Sequence, residues 1–172
     1  MDLSSLIRDI PDFPKKGILF KDITTLLSNK EAFTYTMKIF KDRYKKLKID
    51  KVVGIESRGF ILGASLANML NCGFIPIRKK GKLPFQTFGE TYELEYGIDS
   101  LEIHTDALND NENVVLIDDV LATGGTVKSA IKLLNNFKAN IIEIAFLIEL
   151  SNLEGRNKFL QYNLQHYSII KV

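Results

Sequence analysis

One run of thirteen residues constrains this chain more than any other: Val114-Val115-Leu116-Ile117-Asp118-Asp119-Val120-Leu121-Ala122-Thr123-Gly124-Gly125-Thr126. Its first four residues read as a strand buried on both faces. That strand delivers two adjacent carboxylates to a sheet edge. Adjacent carboxylates repel, and each makes the other costlier to ionise. Solvent, a cation or a ligand rich in hydroxyl donors must offset the repulsion. The small residues Ala122, Thr123, Gly124 and Gly125 let backbone close tightly on a ligand. The N–H groups of the helix start that follows favour an anion, and Thr123 and Thr126 add hydroxyls. Carboxylates for hydroxyls and a loop for phosphate together suit a sugar phosphate. The run is neither a Walker loop, since the Gly-Lys-Ser/Thr ending is missing, nor a Gly-x-Gly-x-x-Gly turn. An acidic turn with no ligand is the alternative for the glycines alone, and the strand and acidic pair just upstream argue against it.

Strand and helix patterns alternate along the rest of the chain. Phe33, Met37, Phe40, Tyr44 and Leu47 recur at helical steps and predict a helix over 31–47. Lys51 to Ile55 reads as a buried strand, Ser57-Arg58-Gly59 as a turn, and Phe60 to Leu70 as a helix apolar almost all round. Such a helix is buried on several sides or lies at a subunit contact. Phe74 to Ile77 is a second strand, where Pro76 argues for an edge or a strand end. Residues 79–95, with Gly81, Pro84 and Gly89, look irregular, and so long a stretch reads as a functional lid. Val127, Ala130, Ile131, Leu134 and Phe137 mark one helix face, and Ile141 to Ile148 another apolar strand. For 172 residues this order predicts one α/β domain, a parallel sheet with helices on both faces. Ligands on such sheets bind at the carboxyl ends of the strands. That rule gathers Glu56 to Gly59, Ile77 to Lys79 and Asp118 to Thr126.

Charge and composition exclude other classes. A net charge of +2 gives no reason to expect nucleic acid or a membrane surface as partner. The run Lys45-Lys46-Leu47-Lys48 reads as a solvated helix end. One cysteine, Cys72, and two histidines, His104 and His166, preclude an internal disulfide and argue against a closed zinc site. No apolar run is long enough for a membrane span, and the first residues lack a signal peptide's basic start and apolar stretch. A cytoplasmic protein is therefore expected.

The stretch from Val114 to Thr126 resembles the PRPP-binding signature of the type I phosphoribosyltransferases. Further segments match the family's adenine-specific branch: Phe13-Pro14 with Gly17 and Phe20 to Thr24; Glu56 to Phe60; Ile77 to Pro84; Tyr92 to Gly97; and Glu149-Leu150 with Leu153, Gly155 and Arg156. The resemblance spans nearly the whole chain in the family's order. It implies the type I phosphoribosyltransferase fold, a Rossmann-like parallel sheet with a small hood or lid. Residues 1–30 would form a base-binding hood segment and residues 78–96 the flexible lid of a single 1–172 domain. It also implies transfer of the phosphoribosyl group of PRPP to adenine, with Mg²⁺ bound mainly through PRPP or pyrophosphate, and a homodimer.

Roles follow for matching positions, as implications of the resemblance. Asp118 and Asp119 would hold the ribose hydroxyls, and Ala122, Thr123, Gly124, Gly125 and Thr126 the 5′-phosphate. Ser57 and Arg58 would meet pyrophosphate, as would Arg78, Lys79 and Lys82, with Arg78 reaching a neighbouring subunit's site. A tetra-anionic leaving group needs such cations. Glu95 would handle a proton or stabilise positive charge on the ribose, with Arg58 neutralising the leaving group and Tyr96 ordering the closed lid. Glu93, two residues away, competes for the Glu95 role, since it points the same way on a strand. Phe20 would pack on the purine, with Leu19 and Lys21 reading its edge through backbone groups. The chain departs from the family at Phe85, where similar enzymes carry glycine after the lid proline, and this is expected to alter lid closure. The competing readings are another purine as substrate and a non-catalytic PRPP- or purine-sensing regulator. Retention of both Arg58 and Glu95 favours catalysis. A signalling receiver domain also pairs aspartates at a strand end, but early in the chain and without a Gly-Gly helix start.

Overall fold

The computed structural model describes residues 1–94 and 97–172. The chain begins with a short antiparallel pair, β1 (Arg8–Pro11) and β2 (Leu19–Asp22), followed by α1 (Thr24–Ser28) and α2 (Lys30–Tyr44). Asn29 caps α2 by accepting the Ala32 N–H at 3.0 Å, a bond type worth about 1 kcal/mol. The helix ends at Tyr44 rather than at 47, where the lysine run begins and Leu47 lies exposed. Next come β3 (Lys51–Ile55), α3 (Arg58–Leu70), β4 (Gly73–Lys79), β5 (Thr87–Leu94) and β6 (Gly97–His104). The rest is β7 (Asn113–Leu121), α4 (Gly125–Leu134), β8 (Asn140–Glu149), three short 3₁₀ turns and β9 (His166–Lys171).

Seven of these strands form one sheet in the order β5-β6-β4-β3-β7-β8-β9. From β4 to β9 all neighbours are parallel, as expected, but β6 pairs antiparallel with both β4 and β5, so the sheet is mixed. This corrects the reading of 79–95 as irregular. Gly89 and the polar residues around it hide a strand of period two. Phe88, Glu90 and Tyr92 share one face and meet α4 and its flank. Phe88 sits edge-on to Phe137 with ring centroids 5.5 Å apart, Glu90 pairs with Lys132, and Tyr92 packs on the core. Full burial of such a side chain contributes about 1.5–3 kcal/mol, and the partial burial of Phe88 and Tyr92 supplies a share of it that favours the segment's place in the sheet. Pro76 is compatible with an inner strand because β6 pairs only with Arg78 and Lys79 of β4. Along its earlier residues β4 has a partner on the β3 side alone.

The alternation of strand residues divides the core in two. Val53, Ile55, Ile77, Val114, Leu116 and Phe146 pack with Val127, Ile131 and Leu134 of α4 on one face. Val52, Val115, Ile117 and Leu147 pack with Leu26 of α1, Met37 and Phe40 of α2, and Leu62 and Leu66 of α3 on the other. Helices therefore cover both faces, as the pattern predicts. The outer side of α3 leaves Ile61 exposed, so packing within the chain does not account for the helix's all-round apolar character. Among the described residues no helix is long and apolar enough to cross a membrane.

Candidate active site

Parallel register sets the C-terminal parts of three strands side by side. Gly54 of β3 lies opposite Ile117 of β7, and Ile55 of β3 opposite Ile77 of β4. The residues that follow, Glu56, Arg78 and Asp118, therefore emerge at one edge of the sheet. The carboxyl-end rule thus brings together the segments it was expected to gather.

The acidic pair lies inside β7, which continues to Leu121 because β8 pairs with it that far. Asp118 is partly buried and Asp119 is 4% exposed. The Asp119 N–H donates to Asp118 Oδ1 at 2.8 Å. Arg58 Nε lies 2.9 Å from Asp119 Oδ2, as an ion pair rather than an aligned hydrogen bond, so that buried oxygen keeps acceptor capacity. Burial pushes the Asp118 carboxyl well above the usual carboxylate range, and the Asp119 charge adds to the effect. Asp119 is raised as well, because burial outweighs Arg58. Two adjacent carboxylates, one of them paired with Arg58, are poised to accept hydrogen bonds from hydroxyls or further positive charge. Gly59 allows this closeness: a Cβ there would come within 2.9 Å of both Asp118 Oδ1 and the Ile117 carbonyl.

The loop from Ala122 to Gly125 is pressed against the 3₁₀ turn at Gly155. Gly124 has φ +79°, and a Cβ on it would fall 2.2 Å from the Gly155 carbonyl oxygen. A Cβ on Gly155 would fall 2.0 Å from the Ala122 carbonyl oxygen. Only glycine fits either position. The first N–H groups of α4 have no partner within the helix, and they open beside exposed Thr123 and partly buried Thr126. The Tyr92 hydroxyl interacts with Thr126, which ties β5 to this helix start.

On the neighbouring corner Ser57 follows a cis peptide after Glu56. The Glu56 side chain is 7% exposed and gathers the basic run. It accepts the Lys79 N–H at 2.9 Å, faces Arg78 Nε at 3.4 Å and pairs with Lys82 Nζ. Burial by itself would raise the Glu56 carboxyl, but Lys82, the Lys79 N–H and Arg78 hold it below its ordinary value. Arg78 also donates to the Lys82 carbonyl at 3.2 Å. The Lys79 ammonium turns elsewhere, 2.9 Å from Asp99. The basic run is thus split, with Arg78 and Lys82 at the strand-end corner and the Lys79 side chain on β6.

Phe20 is half-buried on β2, with the Arg58 guanidinium 4.9 Å from its ring centroid and Phe13 edge-on at 5.1 Å. Leu19 is exposed. The Lys21 ammonium is 2.7 Å from Asp9, on the strand face opposite Phe20. The side chains of Leu19 and Lys21 both point to the face of β2 opposite Phe20. A single side chain, Arg58, therefore touches both the aromatic segment and the acidic pair. Glu95 and Tyr96 lie outside the described residues. Phe85 is exposed, with His104 edge-on at 6.1 Å.

Three participants carried no role in the sequence reading: Glu56, Asp99 and Gly155. Glu56 follows an apolar strand as Asp118 does, and that signal was available. Asp99 and Gly155 act only through contacts distant in sequence. Among the described residues no group of three or more His, Cys, Asp or Glu side chains is placed to hold a metal ion.

Residues 22–171 match the family described as phosphoribosyl transferase domain. The chain is 56% identical over 164 residues to an adenine phosphoribosyltransferase of Halothermothrix orenii, covering 95% of this chain and 96% of that protein. In structure it is similar to an adenine phosphoribosyltransferase of Thermoanaerobacter pseudethanolicus, with TM-score 0.94, 46% identity, and coverage of 99% of this chain and 98% of the other. It is likewise similar to an APRTase of Giardia lamblia complexed with 9-deazaadenine, with TM-score 0.91, 42% identity, and coverage of 99% and 96%.

Proposed function

We propose how this site works from one premise: the chain belongs to the phosphoribosyl transferase family, within its adenine phosphoribosyltransferase branch. It transfers the 5-phosphoribosyl group of PRPP to adenine, giving AMP and pyrophosphate, a reaction of purine salvage. A ring nitrogen of adenine forms the bond to the anomeric carbon, the carbon–pyrophosphate bond breaks, and adenine loses one proton. The observation that carries the site reading is the acidic pair Asp118 and Asp119 near the end of β7, just ahead of the loop that Gly124 seats against Gly155.

Asp118 and Asp119 accept the ribose hydroxyls. The 5′-phosphate sits on Ala122 to Thr126, where helix N–H groups and two hydroxyls supply donors. Phe20 stacks on adenine, and the backbone of Leu19 and Lys21 reads its edge. Arg58 neutralises pyrophosphate together with Ser57, Arg78 and Lys82, while the Lys79 ammonium must leave Asp99 to join them. The contacts of Arg58 with Phe20 and Asp119 support a place at the junction of base, ribose and leaving group. Glu95 handles the departing proton or stabilises cationic ribose, and Tyr96 orders the closed lid. Residues 1–30 form the hood and 78–96 the lid.

Magnesium fits this donor set as an ion carried by PRPP or pyrophosphate, because Asp119, the more buried carboxylate of the pair, is already paired with Arg58. When bound, it supplies charge neutralisation of the leaving group. A cytoplasmic homodimer is part of the same reading, with the bare side of α3 available for a subunit contact. The test is an absorbance assay with magnesium, PRPP and one base at a time. Adenine is expected to react and guanine, hypoxanthine and xanthine are not. Turnover of another purine in preference to adenine would overturn the base assignment. Absence of PRPP or AMP binding by the folded protein would overturn the whole reading.

A further inference from the structure

We infer that Glu56 is an internal stand-in for pyrophosphate: its carboxylate holds Lys82 when the leaving-group site is empty and gives that cation up when the anion arrives. The inference rests on the proposed role of the basic run. The Glu56 side chain is 7% exposed, and a carboxylate so far out of water must keep a partner. Its partners differ in how they are tethered. The Lys79 N–H, 2.9 Å away, belongs to the last residue of β4, and Arg78 stands beside it on the same strand. The Lys79 N–H is fixed by the sheet, and the Arg78 guanidinium is held a second time by the Lys82 carbonyl at 3.2 Å. Lys82 lies three residues beyond the strand, and its side chain is 44% exposed. It is the partner free to leave.

Glu56 and pyrophosphate therefore compete for one ammonium. The anion binds by taking Lys82, while Glu56 keeps the Lys79 N–H and Arg78. When pyrophosphate departs, the carboxylate recaptures the lysine, which keeps the buried charge paired at every stage. The same carboxylate repels the arriving anion, so its charge weakens pyrophosphate binding. A purely structural role has the opposite sign, since loss of Glu56 would then disorder the basic run and weaken binding.

The experiment measures binding of inorganic pyrophosphate with magnesium by calorimetry, and KM for PRPP and for adenine, in the full-length protein. Glu56→Gln keeps the size and an acceptor for the Lys79 N–H but removes the charge. It is expected to bind pyrophosphate about two- to fivefold more tightly, the scale of a partly exposed ion pair. It should also lower KM for PRPP and leave KM for adenine unchanged. Glu56→Asp, which restores charge, is expected to return pyrophosphate affinity to near that of the parent. In a Lys82→Met background Glu56→Gln should bring no gain. Weaker or unchanged pyrophosphate binding in Glu56→Gln, while Lys82→Met loses affinity, overturns this inference alone. Unchanged affinity in Lys82→Met takes down the reading of the basic run as well. If Glu56→Gln does not fold, the parent protein serves: the ¹³C-dimethyl resonance of Lys82 must shift on adding pyrophosphate, and a static resonance refutes the exchange.

Discussion

Asp118→Asn is expected to stabilise the protein in the absence of ligand while weakening its grip on PRPP and AMP. The Asp118 carboxyl is raised well above its ordinary value by burial and by the adjoining Asp119 charge. The one nearby cation, Arg58, contacts Asp119. Asparagine keeps an oxygen to accept the Asp119 N–H, which donates at 2.8 Å. What the substitution removes is charge. Relief of one uncompensated carboxylate is worth on the order of 1 kcal/mol, or about 2–4 °C in Tm for a chain of this size. The sign with pH follows from linkage. A carboxyl raised on folding costs stability above its folded value and costs nothing below about 3.9, where the unfolded chain also binds the proton. The Tm gap between variant and parent should be widest at neutral pH and close as the pH falls. Against this, a hydroxyl held by a charged acceptor gains about 1.5–3 kcal/mol, so AMP or PRPP affinity should fall roughly 10- to 100-fold. Scanning calorimetry from pH 4 to 8 and titration with AMP read both quantities. A variant less stable than the parent at neutral pH, or one that binds AMP normally, refutes the reasoning.

Gly124→Ala sets a Cβ 2.2 Å from the Gly155 carbonyl at φ +79°, so Tm should drop by several degrees and PRPP binding should be lost together; a normal melt refutes the close contact. Phe20→Ala should raise KM for adenine about tenfold or more, from a stacking contribution of about 1–3 kcal/mol, with KM for PRPP little changed in steady-state assays. Asp22 accepts bonds from the Thr24 N–H, Arg8 and the Thr24 hydroxyl, which pull its carboxyl down to about 2. Its stabilising effect is full above about 3.9 and is lost as the pH falls toward 2, so acid unfolding of Asp22→Asn should be shallower over that window in circular dichroism. Glu95→Gln should lower kcat more than it alters KM; a change confined to KM removes Glu95 from the chemistry.

Much of this molecule was legible because the informative features are local. The succession of short apolar strands and periodic helices is a property of neighbouring residues, and it predicted helices on both faces. The Asp118-Asp119 pair and the glycines after it are contiguous, so their closeness at one end of the sheet was readable from spacing. The strand β5 was not readable, because Gly89 and alternating polar residues weaken its period and its apolar half acquires meaning only against Phe137 and α4.

Residue order alone determined the central alternation of β3, α3, β4, β7, α4 and β8, since hydrophobic period acts within a few residues. Tertiary structure decided which charges meet. It assigned Lys82 to Glu56 but the Lys79 ammonium to Asp99, and it set Arg58 between Phe20 and Asp119. Electrostatic partnership depends on separations of a few ångströms between groups tens of residues apart, and only the packed sheet fixes those distances.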